Sequence, residues 1–127
     1  MPGERILIVD DKPENLKLAS LLLRLSGYEI ATAADAKETL SKLKTFRPRL
    51  ILMDIQLPDM NGLDLTRKIK GDPANAGILI FALTAYAMKG DEEKALAAGC
   101  DGYQTKPIDT VGLPILIRKL LAPAEGP

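Results

Sequence analysis

The chain contains no histidine and only one cysteine, Cys100, among its 127 residues. Without histidine, a Ser-His-Asp or Cys-His catalytic site and a histidine-based zinc site are all excluded. A single cysteine cannot form a disulfide within the chain, which fits a reducing, cytoplasmic environment. Any chemistry that the chain performs must therefore depend on carboxylates, lysine, threonine and a bound metal ion.

Net charge and long apolar runs are also missing from the sequence. The 17 lysine and arginine residues balance the 17 aspartate and glutamate residues. Because non-specific nucleic-acid binding needs a strongly basic surface, we expect no nucleic-acid partner. No apolar run approaches the ~20 residues of a membrane-spanning helix, so we expect no membrane partner either.

Five short apolar runs alternate with five helix-like stretches along the chain. The apolar runs occupy residues 5–10, 28–33, 49–54, 78–83 and 101–105. Pro13 stands at the start of the first helix-like stretch, and Asp35 with Glu38 forms a capping box at the start of the second. Continuous apolar strands that alternate with helices favour a parallel sheet covered on both faces. The pattern predicts an α/β fold, a doubly wound five-stranded parallel sheet of order 2-1-3-4-5 with five helices, of the flavodoxin-like type.

Polar side chains stand at the ends of four of the five predicted strands. Asp10 and Asp11 end the first strand, Asp54 ends the third, Thr84 ends the fourth and Lys106 follows the fifth. In the predicted order these strands lie side by side, and the carboxyl ends of parallel strands share one edge of a sheet. We therefore expect the five side chains to converge on that edge.

Three carboxylates at close quarters repel one another unless a cation lies among them, and an all-oxygen site of this kind suits Mg²⁺. A neighbouring ammonium and hydroxyl suit a phosphoryl group, and a carboxylate can act as the nucleophile that accepts it. Taken singly, Asp11 could cap the helix at Pro13, Thr84 could be a strand-end hydroxyl, and Lys106 could be a solvated surface lysine. Since chance would have to bring all five residues to one edge, we predict a phosphoryl-accepting aspartate.

Several segments resemble those of the response-regulator receiver family, the CheY-like superfamily, in order and at similar spacing. They are ILIVDD, LILMDIQLPDMNGLDL, ALTA and TKPI, and the similarity spans about Arg5 to Leu121. The stretches LMDIQLP and TAYAMKGDEEKALAAGC further resemble single-domain receivers of the DivK type. The resemblance implies a receiver domain over residues 5–121, with an N-terminal lead at 1–4 and a C-terminal tail at 122–127.

The resemblance also implies a role for each residue of the acidic site. Asp54 would be the phosphoacceptor. Asp10, Asp11, Asp54 and the backbone carbonyl of Gln56 would bind Mg²⁺, directly or through water. Gln56 and Tyr86 would occupy positions at which family members tune hydrolysis of the phosphoryl group.

The remaining implied roles concern the phosphoryl group and the switch. Thr84 would donate a hydrogen bond to the phosphoryl group, Lys106 would pair with it, and the small side chain of Ala85 would leave access to it. Tyr103 would occupy the aromatic switch position; alternatively it is a half-buried strand tyrosine. The peptide bond between Lys106 and Pro107 would be cis.

Partners follow from the same resemblance. Because the chain has no histidine, the donor would be a separate sensor histidine kinase or histidine phosphotransfer protein. A downstream protein would bind the face formed by the fourth helix, the fifth strand and the last helix. The chain would be a monomer or a weak homodimer, and it would catalyse only its own phosphorylation and dephosphorylation.

Three alternatives stay open at the level of sequence. A phosphatase of the haloacid-dehalogenase type also uses a strand-end aspartate, but it needs a second aspartate where this chain has Gln56. A receiver-like module that works without phosphorylation would bind its partner equally before and after phosphorylation. The chain could also be a domain cut from a larger regulator or hybrid kinase.

Overall fold

A five-stranded parallel sheet organises the residues that the structure, a computed structural model, describes: 3–85 and 90–122. Tyr86, residues 1 and 2 of the lead and residues 123–127 of the tail lie outside the described residues. The elements of the described chain are β1 (Arg5–Val9), α1 (Pro13–Leu25), β2 (Glu29–Ala33), α2 (Ala36–Thr45), β3 (Leu50–Asp54), α3 (Gly62–Gly71), β4 (Leu79–Thr84), α4 (Asp91–Ala97), β5 (Gly102–Thr105) and α5 (Gly112–Leu121).

The strands lie in the order β2-β1-β3-β4-β5, and each pair is parallel. This confirms the predicted fold class and strand order. The register sets Met53 of β3 beside Val9 of β1 and Ala82 of β4. The carboxyl ends of these three central strands therefore meet at one edge of the sheet.

Helices cover both faces of the sheet because alternate side chains of each buried strand point to opposite faces. On one face, strand residues such as Ile8 and Leu52 pack against residues of α1 and α5, including Leu23 and Ile117. On the other face, residues such as Met53 pack against α2, α3 and α4. The five residues of β3 are all buried, so its last residue, Asp54, is carried into the interior with the strand.

A side-chain cap fixes where α2 begins. Asp35 accepts a hydrogen bond from the backbone N–H of Glu38 at 2.7 Å, which confirms half of the predicted capping box. The Glu38 carboxylate accepts from the N–H of Ala34 at 2.8 Å, one residue before the expected partner.

Among residues 3–85 and 90–122, none of the helices combines the length and the hydropathy that crossing a membrane requires.

Candidate functional site

Four of the strands deliver polar residues to the carboxyl edge of the sheet. Asp54 and Thr84 are the last residues of β3 and β4, while Asp10 and Lys106 directly follow β1 and β5. Three of the residues at this edge are buried: the relative solvent exposure is 4% for Asp10, 3% for Asp54 and 4% for Thr84. Asp11, in contrast, is exposed. The site thus consists of buried polar groups at the end of an apolar sheet, with one carboxylate open to solvent.

The three carboxylates form a compact cluster. One oxygen atom from each of Asp10, Asp11 and Asp54 lies within 4.8 Å of the other two. Lys106 Nζ donates to Asp10 Oδ2 at 2.8 Å and to Asp54 Oδ2 at 3.2 Å. The cluster of three carboxylates therefore contains one ammonium, which contacts two of them. A hard divalent cation with oxygen ligands fits the excess of negative charge that this leaves.

Backbone and amide donors hold the two buried carboxylates in place. Asp54 Oδ1 accepts from the N–H of Gln56 at 3.0 Å, and Asp10 Oδ1 accepts from the N–H of Lys12 at 2.9 Å. The side-chain amide of Asn15 donates to Asp10 Oδ2 at 3.2 Å. Sequence reasoning did not identify Asn15. The available signal was an amide in the first turn of the helix that follows the acidic pair.

Charge at the site is incompletely neutralised. Burial raises the pKa of Asp54 and the charge of Asp10 adds to the rise, while the Gln56 N–H and Lys106 lower it, and the net shift is upward. Burial lowers the pKa of Lys106, but its hydrogen bonds to Asp10 and Asp54 and their charges outweigh burial, so its net pKa is raised. The lysine therefore stays protonated without fully offsetting the cost of the buried Asp54 charge.

A short loop carries the chain from the end of β3 to α3; we call residues 55–61 the acceptor loop. Its base is closed by an antiparallel bridge between Gln56 and Asn61 and by a 2.7 Å hydrogen bond from the N–H of Gly62 to the carbonyl of Ile55. The Asn61 side chain then caps α3 by accepting from the N–H of Leu63 at 2.7 Å. These contacts tie the backbone around Gln56 to the start of α3.

The segment after β5 brings Lys106 to the edge. Its N–H donates to the carbonyl of Thr84 at 2.7 Å, and the peptide bond to Pro107 is cis. A cavity of about 440 Å³ opens beside Lys106 and is also lined by Ala85 and by Asn15 and Leu18 of α1. Ala85, the residue after Thr84, is exposed, so the side chain that lines the cavity at this position is small.

Tyr103 lies in β5, away from the carboxylate cluster. It pairs in register with Ala82, two residues before the pairing of Thr84 with Thr105. Its hydroxyl is buried and has no hydrogen-bond partner within the part of the chain that the structure describes. Burial, followed by the charges of Asp91 and Glu92, raises the pKa of Tyr103. Among the described residues, no hydrogen bond through this hydroxyl holds the Tyr103 ring in its position.

Comparisons with known proteins agree on one family. The family model described as the response regulator receiver domain matches residues 6–118. The chain is 45% identical over 103 residues to the polar-differentiation response regulator DivK of Brucella anthropi, covering 81% of this chain and 84% of that protein.

Two solved structures illustrate the same similarity. A CheY-like receiver domain protein from Methanospirillum hungatei is 36% identical, with a TM-score of 0.86 over 94% of each chain. The receiver domain of a sensor histidine kinase from Pseudomonas aeruginosa is 34% identical, with a TM-score of 0.83 over 92% of this chain and 96% of that one. That second structure contains a magnesium ion coordinated in its active-site cleft.

Proposed function

The chain belongs to the response regulator receiver family, in which phosphorylation of an aspartate with Mg²⁺ is the general property, and we propose that Asp54 is its phosphoacceptor. The observation that carries the proposal is the position of Asp54. It is a buried carboxylate at a strand end, 3.2 Å from the ammonium of Lys106 and clustered with Asp10 and Asp11.

The carboxylate cluster supports a metal role for the same residues. We assign Mg²⁺ binding to Asp10, Asp11 and Asp54, together with the backbone carbonyl of Gln56. Their donor atoms are all oxygen, and the single ammonium of Lys106 contacts only Asp10 and Asp54. Oxygen ligands with excess negative charge favour a hard divalent cation. Bound there, Mg²⁺ would offset the charge of the carboxylates and of an incoming phosphoryl group.

Transfer would form a bond between an Asp54 carboxylate oxygen and phosphorus as the bond from phosphorus to the donor's imidazole nitrogen breaks. Lys106 would exchange a carboxylate contact for a phosphoryl oxygen, and its raised pKa keeps it charged for this purpose. Thr84 would donate its hydroxyl to a second phosphoryl oxygen, and Ala85 leaves room beside it. Positioning and electrostatics would then supply the catalysis, which acts only on the chain's own phosphorylation and dephosphorylation.

These 127 residues contain no histidine, so the donor histidine lies outside them. Family membership implies a histidine kinase as the source of the phosphoryl group; we propose a sensor histidine kinase or a histidine phosphotransfer protein, meeting the receiver in the cytoplasm. The cavity lined by Lys106, Ala85 and Leu18 of α1 opens beside the site, and a donor side chain would approach through it. We propose that the receiver acts as a monomer or a weak homodimer.

Phosphotransfer tests this proposal directly. A panel of histidine kinases and phosphotransfer proteins, radiolabelled on histidine, is mixed with the chain in Mg²⁺ or in EDTA, and the label is followed on gels. We expect at least one donor to transfer its label to the wild-type chain in Mg²⁺ only, and none to label Asp54→Ala. Equal labelling of wild type and Asp54→Ala would refute the assignment of the acceptor.

The output is proposed to be a change in the surface formed by α4, β5 and α5, which we call the α4-β5-α5 face. Three apolar side chains of this face are exposed: Leu96 of α4, Val111 at the start of α5 and Ile115 of α5, at 50%, 72% and 48%.

The free energy of the phosphoryl contacts is sufficient to switch the face between two conformations. Moving a two-state conformational equilibrium from 1:99 to 99:1 takes ~5.5 kcal/mol. Hydrogen bonds from the phosphoryl group to Thr84 and Lys106, each worth about 1.5–3 kcal/mol, are of that size.

Tyr103 is the proposed link between the phosphoryl group and this face, moving into space that Thr84 vacates. Tyr103→Ala should accept phosphate at a rate within about twofold of wild type, because the residue lies away from the carboxylates. In the Tyr103→Ala protein, the chemical shifts of the α4 and α5 amides should change little when beryllofluoride, a phosphoryl mimic, is added. Tyr103→Phe keeps the ring and should respond like wild type. A full response in Tyr103→Ala would remove the residue from the switch.

A further inference from the structure

Asp59, at the tip of the acceptor loop, contacts a helix that is distant in the sequence. Its Oδ1 accepts a hydrogen bond from the N–H of Ala36 at 2.9 Å, and its Oδ2 accepts from the N–H of Lys37 at 3.1 Å. Ala36 and Lys37 are the first two residues of α2. One carboxylate thus binds two adjacent amides at a helix N-terminus, where unpaired donors and the helix dipole both favour a negative charge.

The sequence next to α2 does not satisfy these two amides by itself. The Asp35 side chain accepts from the N–H of Glu38, and the Asp35 carbonyl accepts from the N–H of Thr39. Asp59 therefore supplies the hydrogen-bond acceptors for the first two amides of α2. It lies 23 residues after Ala36 and 22 residues after Lys37 in the sequence. The two hydrogen bonds, that of Ala36 above all, lower the pKa of Asp59, so its carboxylate stays ionised at neutral pH.

The same contacts restrain the tip of the acceptor loop. The bridge between Gln56 and Asn61 closes the base of the loop, which leaves residues 57–60 beyond it. Leu57 and Met60 are partly buried and pack against the hydrophobic core, but apolar contacts are not directional. The two hydrogen bonds of Asp59 add direction and fix the tip against α2. Gln56 stands at the base of this loop, directly next to the segment that they restrain.

We propose that Asp59 is a positioning residue for the metal site: it holds the acceptor loop against α2, and thereby couples metal binding at Asp54 to the first turn of α2. This inference rests on the proposed function, since it assigns Mg²⁺ to the carboxylate cluster. Coupling between two sites is reciprocal, so whatever affinity Mg²⁺ gains from the restrained loop must reappear as added stability of the Asp59 hydrogen bonds.

Two measurements separate this coupling from a purely local helix cap. The first is the Kd for Mg²⁺, measured by NMR titration. The second is the hydrogen-exchange rate of the Ala36 and Lys37 amides with and without saturating Mg²⁺. A cap that served only α2 would change amide exchange in the same way at every Mg²⁺ concentration and would leave the Kd unchanged.

Asp64 provides the matched control. Its carboxylate lies in the first turn of α3, pairs with Arg67 at 2.7 Å and is 66% exposed. Asp64→Ala therefore removes the same charge from the same side of the sheet without touching α2. Asp59→Asn serves as a milder variant, because its amide oxygen can still accept one of the two hydrogen bonds.

In wild type, Mg²⁺ should slow exchange at Ala36 and Lys37 by about fivefold or more, the lower end of typical coupling between sites. Asp59→Ala should lose this protection and bind Mg²⁺ about fivefold more weakly, with Asp59→Asn between it and wild type. Asp64→Ala should stay within about twofold of wild type.

Each contrary result has one meaning. If Asp59→Ala binds Mg²⁺ as tightly as wild type, or if Asp64→Ala weakens binding equally, the positioning role is wrong while the proposed function stands. If wild type itself binds no Mg²⁺ and accepts no phosphoryl group, the proposed function fails, and the positioning role falls with it.

Discussion

Gly62→Ala is expected to lower the melting temperature by roughly 10 °C, because the added methyl group meets backbone rather than a movable side chain. A Cβ atom at residue 62 would lie 2.6 Å from Ile55 Cα and 2.9 Å from the carbonyl oxygen of Asp54. The backbone around the acceptor would have to shift to relieve these contacts. Overpacking of this kind typically costs about 1–3 kcal/mol, and thermal unfolding followed by circular dichroism measures it.

Gly71→Ala is the control for this variant, since Gly71 ends the same helix and has no neighbour within 4 Å of its added Cβ. It should melt within about 3 °C of wild type, because alanine favours the helix where space allows. Gly62→Ala should also bind Mg²⁺ more weakly, whereas Gly71→Ala should not. If both variants melted together with wild type, the close approach of α3 to the acceptor strand would be wrong.

Asp54→Asn should have the opposite effect on stability, raising the melting temperature of the metal-free protein at neutral pH by a few degrees. Burial, with a further contribution from the charge of Asp10, raises the pKa of Asp54, so its ionised form destabilises the fold. Asparagine is neutral and keeps an oxygen that can accept from the Gln56 N–H. The measurement is thermal unfolding of both proteins in EDTA at several pH values.

The sign of the pH dependence follows from the raised pKa. Below the ordinary aspartate pKa of 3.8, Asp54 is neutral in the folded and unfolded chains, and the variant has no advantage on this account. As the pH rises through the folded pKa, wild type loses stability that Asp54→Asn keeps. The difference in melting temperature between Asp54→Asn and wild type should therefore increase from acid to neutral pH. It should decrease when Mg²⁺ binds wild type. If Asp54→Asn melted below wild type in EDTA, the ion pair between Asp54 and Lys106 would stabilise the fold by more than burial of the Asp54 charge destabilises it.

Much of this arrangement was predictable because the sheet imposes it. Five apolar runs predict five parallel strands, and the flavodoxin-like doubly wound arrangement supplies their order. Once the strands are parallel, the residues at their carboxyl ends must share an edge, which is how Asp10, Asp54 and Thr84 come together. The cap at the start of α5 was also predictable: Asp109 accepts from the N–H of Val111 and Gly112, because such contacts are local in sequence.

Contacts made only through the tertiary fold were missed. Asp59 looks like an ordinary turn residue between Pro58 and Met60, and its binding to α2 depends on how close the acceptor loop lies to that helix. Asn15 likewise gains its role only when α1 packs beside the end of β1. The capping box was half right, because the Glu38 carboxylate reaches Ala34 instead of Asp35. Sequence patterns identify the acidic residues of the site, but not the polar residues that hold them.

Intact-mass spectrometry after incubation with acetyl phosphate tests the central claim most directly. Wild type and Asp54→Asn are compared, each with Mg²⁺ and with EDTA. We predict a single phosphoryl adduct on wild type in Mg²⁺ that is lost on standing, and no adduct in EDTA or on the variant. An adduct of equal abundance on Asp54→Asn, or one that forms equally well in EDTA, would contradict a Mg²⁺-dependent phosphoacceptor at Asp54.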